Sequence, residues 1–162
     1  MYKPICLRIF ILFSILFTTS CGSSMPTSIP PLTDEEFDVA VKQAHSTLSV
    51  LRQALLTQKL SYDFVGLKVR FRTQDGEIDD NWTEPIDFYN GVFTIRMLDG
   101  LPYDLNEHVD QTLDIPLKDV IDWMLVEKDG NLIGGYTIRL AYAHMTPDEK
   151  EHFLKITGYK IK

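Results

Sequence analysis

The last third of the sequence holds a group of residues with the composition of a binding site. Asp122 and Trp123 begin an apolar stretch, and the segment Gly134-Gly135-Tyr136-Thr137-Ile138-Arg139 follows it. If the two segments pair as strands, an acid, an indole, two glycines and an arginine could shape a recognition pocket. The same residues could instead form a structural corner, with Trp123 in the core and Asp122 paired to Arg139 or capping a turn. The candidate cluster comprises Trp82, Asp122, Trp123, Gly134, Gly135, Thr137 and Arg139.

The chain offers few residues for catalysis. It lacks the Gly-x-Ser-x-Gly motif of hydrolases. His108, His144 and His152 are too widely spaced for a His-x3-His zinc motif, although the last two flank the start of a predicted helix. We therefore predict no catalytic residue, metal site or cofactor. The carboxylates of Asp80, Glu84 and Asp122 would support a hydrolase only if two of them converge in a cleft.

The N-terminus has the pattern of an export signal. Lys3 and Arg8 precede the apolar run 9–17, which is shorter than the ~20 residues of a transmembrane helix. Small residues then lead to Cys21, as in the lipobox of bacterial lipoproteins, although Thr18 replaces the usual leucine. We expect residues 1–20 to be removed and Cys21 to be the lipid attachment site that holds the chain on a membrane. An ordinary secretory signal is the alternative.

Residues 21–32 are rich in serine and proline, and we interpret them as an extended tether. Cys6 lies in the segment expected to be removed, so an acylated Cys21 would leave the mature domain without a free thiol or a disulfide. Gly22 follows the cysteine. By analogy, this favours the periplasmic face of the outer membrane if the host is Gram-negative.

The charge excludes one class of partner. The 162 residues carry a formal charge of −7, and removal of Lys3 and Arg8 leaves 14 bases against 23 acids, or −9. Phosphate contacts need clustered Lys and Arg, so we predict no nucleic-acid binding. Residues 33–162 have the length of a single domain that can bury its own core.

Helix signals stand at both ends of this domain. Thr33-Asp34-Glu35-Glu36 is a capping box, and the apolar spacing that follows predicts one amphipathic helix of about 22 residues. The apolar stripe consists of Phe37, Val41, Ala44, Leu48, Leu51 and Leu55. His45 lies off the stripe, and we interpret it as solvated. Thr146-Pro147-Asp148-Glu149 is a second capping box and predicts a short C-terminal helix.

Strand signals occupy the middle of the chain. The period changes from residue 62, and residues 67–72 alternate between apolar and charged side chains, which predicts a half-buried first strand. Pro85 places an edge or a bulge in a second strand over 82–89. Asn90-Gly91 predicts a hairpin turn to a third strand. A short strand near 112–115 and a hairpin of 122–126 with 135–140, around Asp129-Gly130-Asn131, complete the set.

These elements predict an α+β domain. Its N-terminal amphipathic helix packs on a strongly bent antiparallel sheet, or a small barrel, of five to six strands, and a short C-terminal helix follows.

From about Phe37 to its end, the chain resembles the domain of unknown function 2314 (YegJ-like) family of bacterial proteins. The resemblance is carried by Leu67-Lys68-Val69, Trp82, Ile121-Asp122-Trp123-Met124, the segment 134–139 and Met145-Thr146-Pro147-Asp148-Glu149. It implies a fold and a bacterial setting but no reaction. Some members are exported lipoproteins, which agrees with Cys21.

Two segments depart from the family pattern. The family's Glu-His-x-Trp reads Asp79-Asp80-Asn81-Trp82 here, so the histidine is missing. The family's Asn-x-Pro reads Gly100-Leu101-Pro102, so its polar residue is missing. A family ligand site that uses these two residues would be lost or altered in this chain.

Our leading hypothesis is a non-catalytic, lipid-anchored domain of the bacterial envelope that binds another macromolecule or a wall component. One alternative is the carboxylate-dependent hydrolase. Another is a periplasmic immunity-type protein whose acidic surface masks the basic active site of a toxin.

Overall fold

The computed structural model describes residues 33–57, 61–72, 75–97 and 112–162. The predicted signal peptide, Cys21, the tether to residue 32, Gly100-Leu101-Pro102 and His108 lie outside these residues. The helices are α1 (Asp34–Ser46), α2 (Leu48–Thr57), α3 (Tyr136–His144) and α4 (Pro147–Thr157). The strands are β1 (Tyr62–Arg72), β2 (Ile78–Tyr89), β3 (Val92–Met97), β4 (Thr112–Pro116), β5 (Val120–Glu127) and β6 (Leu132–Gly134).

The six strands form one antiparallel sheet in the order β4-β3-β2-β1-β5-β6. The prediction of an α+β domain with up to six strands is confirmed, and the sheet is open rather than closed into a barrel. Asn90 and Gly91 both have positive φ, 49° and 82°, as the predicted hairpin turn requires. A register shift between Pro85 and Asp87 is the bulge that Pro85 predicted, although β2 is an interior strand.

The main core lies between the sheet and the helices α1 and α2. Alternate residues of the central strands point into it, because successive side chains of a strand face opposite sides. Its fully buried members include Leu51, Leu67, Val69, Phe93, Ile95, Trp123 and Leu125. A second, smaller cluster on the other side of β5 contains Met124, Val126 and Leu132, and residues near the C-terminus pack on it.

The prediction of one continuous N-terminal helix is wrong. The helix is interrupted at Thr47, which has φ −112° and ψ 6°. The Thr47 hydroxyl donates to the carbonyls of Gln43 and Ala44, at 2.9 and 3.2 Å. The Trp123 indole N–H also donates to the Ala44 carbonyl, at 2.9 Å. These donors occupy carbonyl groups that would otherwise accept regular backbone hydrogen bonds of the helix. The apolar stripe is therefore divided between the two helices α1 and α2.

The prediction that residues 135–140 return as a strand is also wrong. β6 ends at Gly134, and Tyr136–His144 is the helix α3. The alternation of Tyr136, Ile138 and Leu140 imitates a strand. Gly134 and Gly135 instead turn the chain with φ values of +71° and +64°, which glycine adopts without steric cost. The strand pairing ends there and a helix begins.

Candidate functional site

Asp122 lies at the N-terminus of α3 and is completely buried. Its Oδ2 accepts hydrogen bonds from the backbone N–H and the hydroxyl of Thr137, at 2.7 and 2.8 Å. Its Oδ1 accepts the backbone N–H of Trp123, at 2.8 Å. Gly135, at the capping position, has no side chain to supply this acceptor. Asp122 therefore caps α3 from a neighbouring strand.

Two effects act on the carboxyl group of Asp122. Burial raises its pKa, and the hydrogen bonds from Thr137 and Trp123 lower it, with burial the larger effect. The positive end of the α3 dipole faces the carboxylate and favours its charged form. The sequence left an Asp122–Arg139 pair and a capping role open, and the geometry shows capping.

Trp123 connects the sheet to the N-terminal helices. Its side chain is 1% exposed, and its indole N–H donates to Ala44 across a separation of 79 residues. The ring packs edge-on against Tyr136, with centroids 6.2 Å apart. The side chain thus fills the core between α1 and α3.

Gly134 allows the backbone to pass close to Trp123. A Cβ atom at this position would collide with the Trp123 carbonyl oxygen and lie 2.9 Å from the indole ring. The N–H of Gly135 donates to the same Trp123 carbonyl, at 2.7 Å. The Gly134–Gly135 backbone therefore packs directly against Trp123.

Arg139 forms hydrogen bonds to the backbone on both sides of this corner. Its guanidinium donates to the carbonyls of Leu132, Gly134 and Lys162, at 2.6, 2.8 and 2.9 Å. Six members of the candidate cluster therefore meet: Asp122, Trp123, Gly134, Gly135, Thr137 and Arg139. They form a packed corner in which the polar groups bond to one another or to backbone.

Two histidines tie α1 to the rest of the domain. The prediction that His45 is solvated is wrong, because the side chain is half-buried and its Nε2 lies 2.7 Å from the Val120 carbonyl oxygen. A carbonyl only accepts hydrogen bonds, so Nε2 carries the proton. His144 lies at the end of α3, with its Nε2 3.0 Å from Oε1 of Glu36 in the first turn of α1. Within the described residues, no group of three or more His, Cys, Asp or Glu side chains is placed to hold a metal ion.

Trp82 lies apart from the corner, on the surface of the sheet that faces away from α2. We name this surface the sheet strip, and it comprises Lys68, Arg70, Asp80, Trp82, Glu84 and Arg96. Cross-strand register places Lys68 opposite Trp82, Arg70 opposite Asp80, and Glu84 opposite Arg96. Five of these residues are half-buried and Arg96 is exposed. The strip therefore crosses three adjacent strands at the surface of the domain.

The two acids of the sheet strip are each bonded to an arginine. Arg70 binds Asp80 through two N–H groups, both at 2.8 Å, and this bonding raises the pKa of Arg70. Arg96 donates to Glu84 at 3.0 Å, and their side chains are 54% and 29% exposed. At one end of the strip, the Arg70 guanidinium carbon lies 5.7 Å from the centre of the Phe37 ring.

Lys68 and Trp82 form the centre of the strip. Trp82 packs with Phe64 and Met124, and a Cβ on Gly66 would lie 3.1 Å from its ring, so one side of the indole is fixed by packing. In the described part of the chain, the Lys68 ammonium has no carboxylate partner, because the neighbouring Asp122 is turned towards α3. The strip thus combines an indole with N–H donors in excess of carboxylates.

Sequence reasoning included Trp82 but missed Lys68, Arg70 and Arg96 as its neighbours. Part of the signal was present, because Lys68, Arg70 and Arg72 recur with a period of two in β1 and therefore share one face of the sheet. The pairing partners depend on the register of each hairpin, which the sequence does not specify around the bulge at Pro85.

Comparison with known protein families identifies the family of the chain. A family model described as "Uncharacterized protein conserved in bacteria (DUF2314)" matches residues 34–161. No curated protein and no solved structure matches the chain. Among the described residues, no helix is long and apolar enough to cross a membrane.

Proposed function

The chain belongs to the bacterial family described as uncharacterized protein conserved in bacteria (DUF2314), and from that premise we propose that it is a non-catalytic binding domain. In this proposal, a lipid on Cys21 holds the domain in the bacterial envelope, and the sheet strip recognises another macromolecule.

One observation carries the proposal: a half-buried tryptophan lies among arginine and lysine donors on one face of the sheet. Trp82 packs against the smaller core cluster that contains Met124, and Lys68 and Arg96 lie on the neighbouring strands. Tryptophan and arginine are enriched among the residues that contribute most to protein–protein affinity. A side chain fixed before binding also loses little entropy on association.

The three carboxylates that could have supported a hydrolase have other roles in the described structure. Asp80 and Glu84 each bind an arginine, and Asp122 is a buried helix cap. Asp80 and Glu84 are separated by four residues on one strand, about 13 Å, which exceeds the spacing of paired catalytic carboxylates. Their geometry favours the binding function over the hydrolase. A toxin-neutralising protein would be a special case of the binding function.

The anchor is a separate part of the proposal and has its own test. Cys21→Ser should leave an uncleaved precursor or a protein released from the membrane fraction. Cys6→Ser is the matched control, because Cys6 belongs to the segment that cleavage would remove. Unchanged fractionation and an unchanged N-terminal mass for Cys21→Ser would contradict lipid anchoring at this residue. If the host is Gram-negative, separation of the inner and outer membranes tests the expected location at the outer membrane.

Photo-cross-linking in the native bacterium tests the binding surface. A photoreactive amino acid replaces Thr112, which is exposed and lies opposite Arg96 on β4. The control position is Lys155, which is exposed on α4. We expect a discrete adduct from position 112 that is absent from position 155. Equal labelling from both positions, or no adduct from either, would contradict the proposal.

A further inference from the structure

We propose that the sheet strip binds an extended acidic segment of a partner protein, in which two acidic residues four positions apart flank an apolar residue. Lys68 and Arg96 would bind the two carboxylates, and the apolar side chain would lie on Trp82. The inference rests on the proposed function and specifies the chemistry of the partner.

The spacing of the strip supports this pattern. Lys68 lies opposite Trp82 on the adjacent strand, and Arg96 lies opposite Glu84, two residues further along β2. With strands about 4.8 Å apart and a rise of about 3.3 Å per residue, Lys68 and Arg96 are about 12 Å apart on the sheet surface. Residues i and i+4 of an extended peptide are about 13 Å apart, and residue i+2 faces the same way. Residue i+2 would therefore lie above β2, between the positions of Trp82 and Glu84, where a large apolar side chain can contact the Trp82 indole.

The charge of the strip also favours an anionic partner. The six residues contain three bases and two acids, a formal charge of +1, whereas the whole chain carries −7. Lys68 has no carboxylate partner in the described residues, and Arg96 uses one N–H group on Glu84. An exposed ion pair of this kind is weak and exchanges readily for another carboxylate. The acidic first turns of α1 and α4 would repel the same segment, so the charge pattern directs it to the strip.

The separation of the two cations distinguishes this ligand from a single phosphate. One phosphate would need donors that converge on a common point. Here Lys68 and Arg96 lie on the two strands that flank the strand of Trp82, with their Cα atoms about a peptide's i to i+4 distance apart. Two separate carboxylates on an extended chain match this arrangement.

Tryptophan fluorescence of the full-length chain in a nonionic detergent provides the test. The chain has two tryptophans, and Trp123 is 1% exposed, so a ligand on the strip should alter the emission of Trp82. The probe is a synthetic peptide with the core Glu-Thr-Phe-Thr-Glu. One control peptide carries Gln in place of both glutamates, and the other separates the glutamates by three positions instead of four.

We expect saturable binding of the probe that weakens at least tenfold with either control peptide. Lys68→Gln and Arg96→Gln should each weaken it about tenfold, whereas Lys155→Gln should leave it unchanged. Thermal unfolding of each variant shows whether the fold is intact. Equal affinity for the Gln peptide, or the absence of binding at millimolar probe, would overturn the inference.

Two further outcomes separate this inference from the proposed function. Binding of polygalacturonate with no binding of the peptide would assign the strip to an acidic glycan and overturn the peptide. If no probe binds but the cross-linked adduct from position 112 persists, the acidic-peptide inference is wrong and the proposed binding function stands. Failure of the cross-linking as well would remove both.

Discussion

Thr137 donates two hydrogen bonds to one carboxyl oxygen of Asp122, from its backbone N–H at 2.7 Å and from its hydroxyl at 2.8 Å. This relationship fixes where the sheet ends and α3 begins, because the cap of the helix comes from a strand 15 residues earlier. It also gives the one acidic residue of the candidate cluster a structural role. The proposed binding surface is therefore the sheet strip and not this corner.

Removal of the cap should destabilise the whole domain. Asp122→Ala leaves the buried donors of Thr137 and Trp123 without an acceptor, and we expect a loss of about 2–4 kcal/mol in the free energy of unfolding. Urea denaturation measures the loss, and Asp114→Ala, at an exposed side chain on β4, is the control with about 0.5 kcal/mol or less. A stable Asp122→Ala protein that has lost partner binding would show that the corner is a ligand site.

The raised pKa of Asp122 predicts a pH dependence of stability. Burial makes the folded state bind this proton more tightly than the unfolded state does. The contribution of Asp122 to the free energy of unfolding is therefore fully present below its pKa in the unfolded chain, near 3.9 for an aspartate. This contribution is lost as the pH rises through the higher pKa of Asp122 in the folded protein. The stability difference between the wild type and Asp122→Asn, measured by urea denaturation across this interval, should fall with rising pH. A difference that grows with pH would show that the hydrogen bonds outweigh burial.

Gly134 should be less tolerant of alanine than Gly76, although both glycines have positive φ. Gly134→Ala combines backbone strain with a collision against the Trp123 carbonyl, so we expect a loss of about 2 kcal/mol or more. Gly76→Ala has a similar φ of +83° but nothing within 4 Å of the added Cβ, and we expect about 1 kcal/mol from strain alone. Equal thermal unfolding of the two variants would contradict the close packing at Gly134.

Arg139→Lys should loosen one edge of the domain while the main core stays folded. A lysine ammonium cannot reproduce the planar fork that bonds the carbonyls of Leu132, Gly134 and Lys162. Hydrogen exchange should become faster at the Leu132 amide, which donates to Lys160 at 3.3 Å. Exchange at Leu67, in the centre of the sheet, should change little. Uniform acceleration at both amides would indicate global destabilisation instead.

Local signals made much of the fold predictable. Thr33 and Thr146 cap their helices as the capping boxes predict, and Asn90-Gly91 makes the predicted turn. Each of these features is determined by residues within a few positions of one another, so it can be predicted from the local sequence alone.

The features that sequence reasoning missed have distant causes. The break at Thr47 involves Trp123, and the start of α3 involves Asp122, neither of which is near in sequence to the element that it affects. The apolar alternation at 136–140 favours a strand until the cap and the glycine turn are known. The sheet strip was missed for a similar reason, because its pairs form only when three strands align in one register.

The central claim is that the strip binds a partner and the corner supports the fold. Cross-linking from position 112 in a Lys68→Glu and Arg96→Glu double variant tests it most directly, with thermal unfolding measured in parallel. We predict that the adduct falls at least tenfold while the unfolding temperature stays within a few degrees of the wild type. A Lys150→Glu and Lys155→Glu double variant on α4 should retain the adduct. An undiminished adduct in the strip variant, with the fold intact, would contradict the claim.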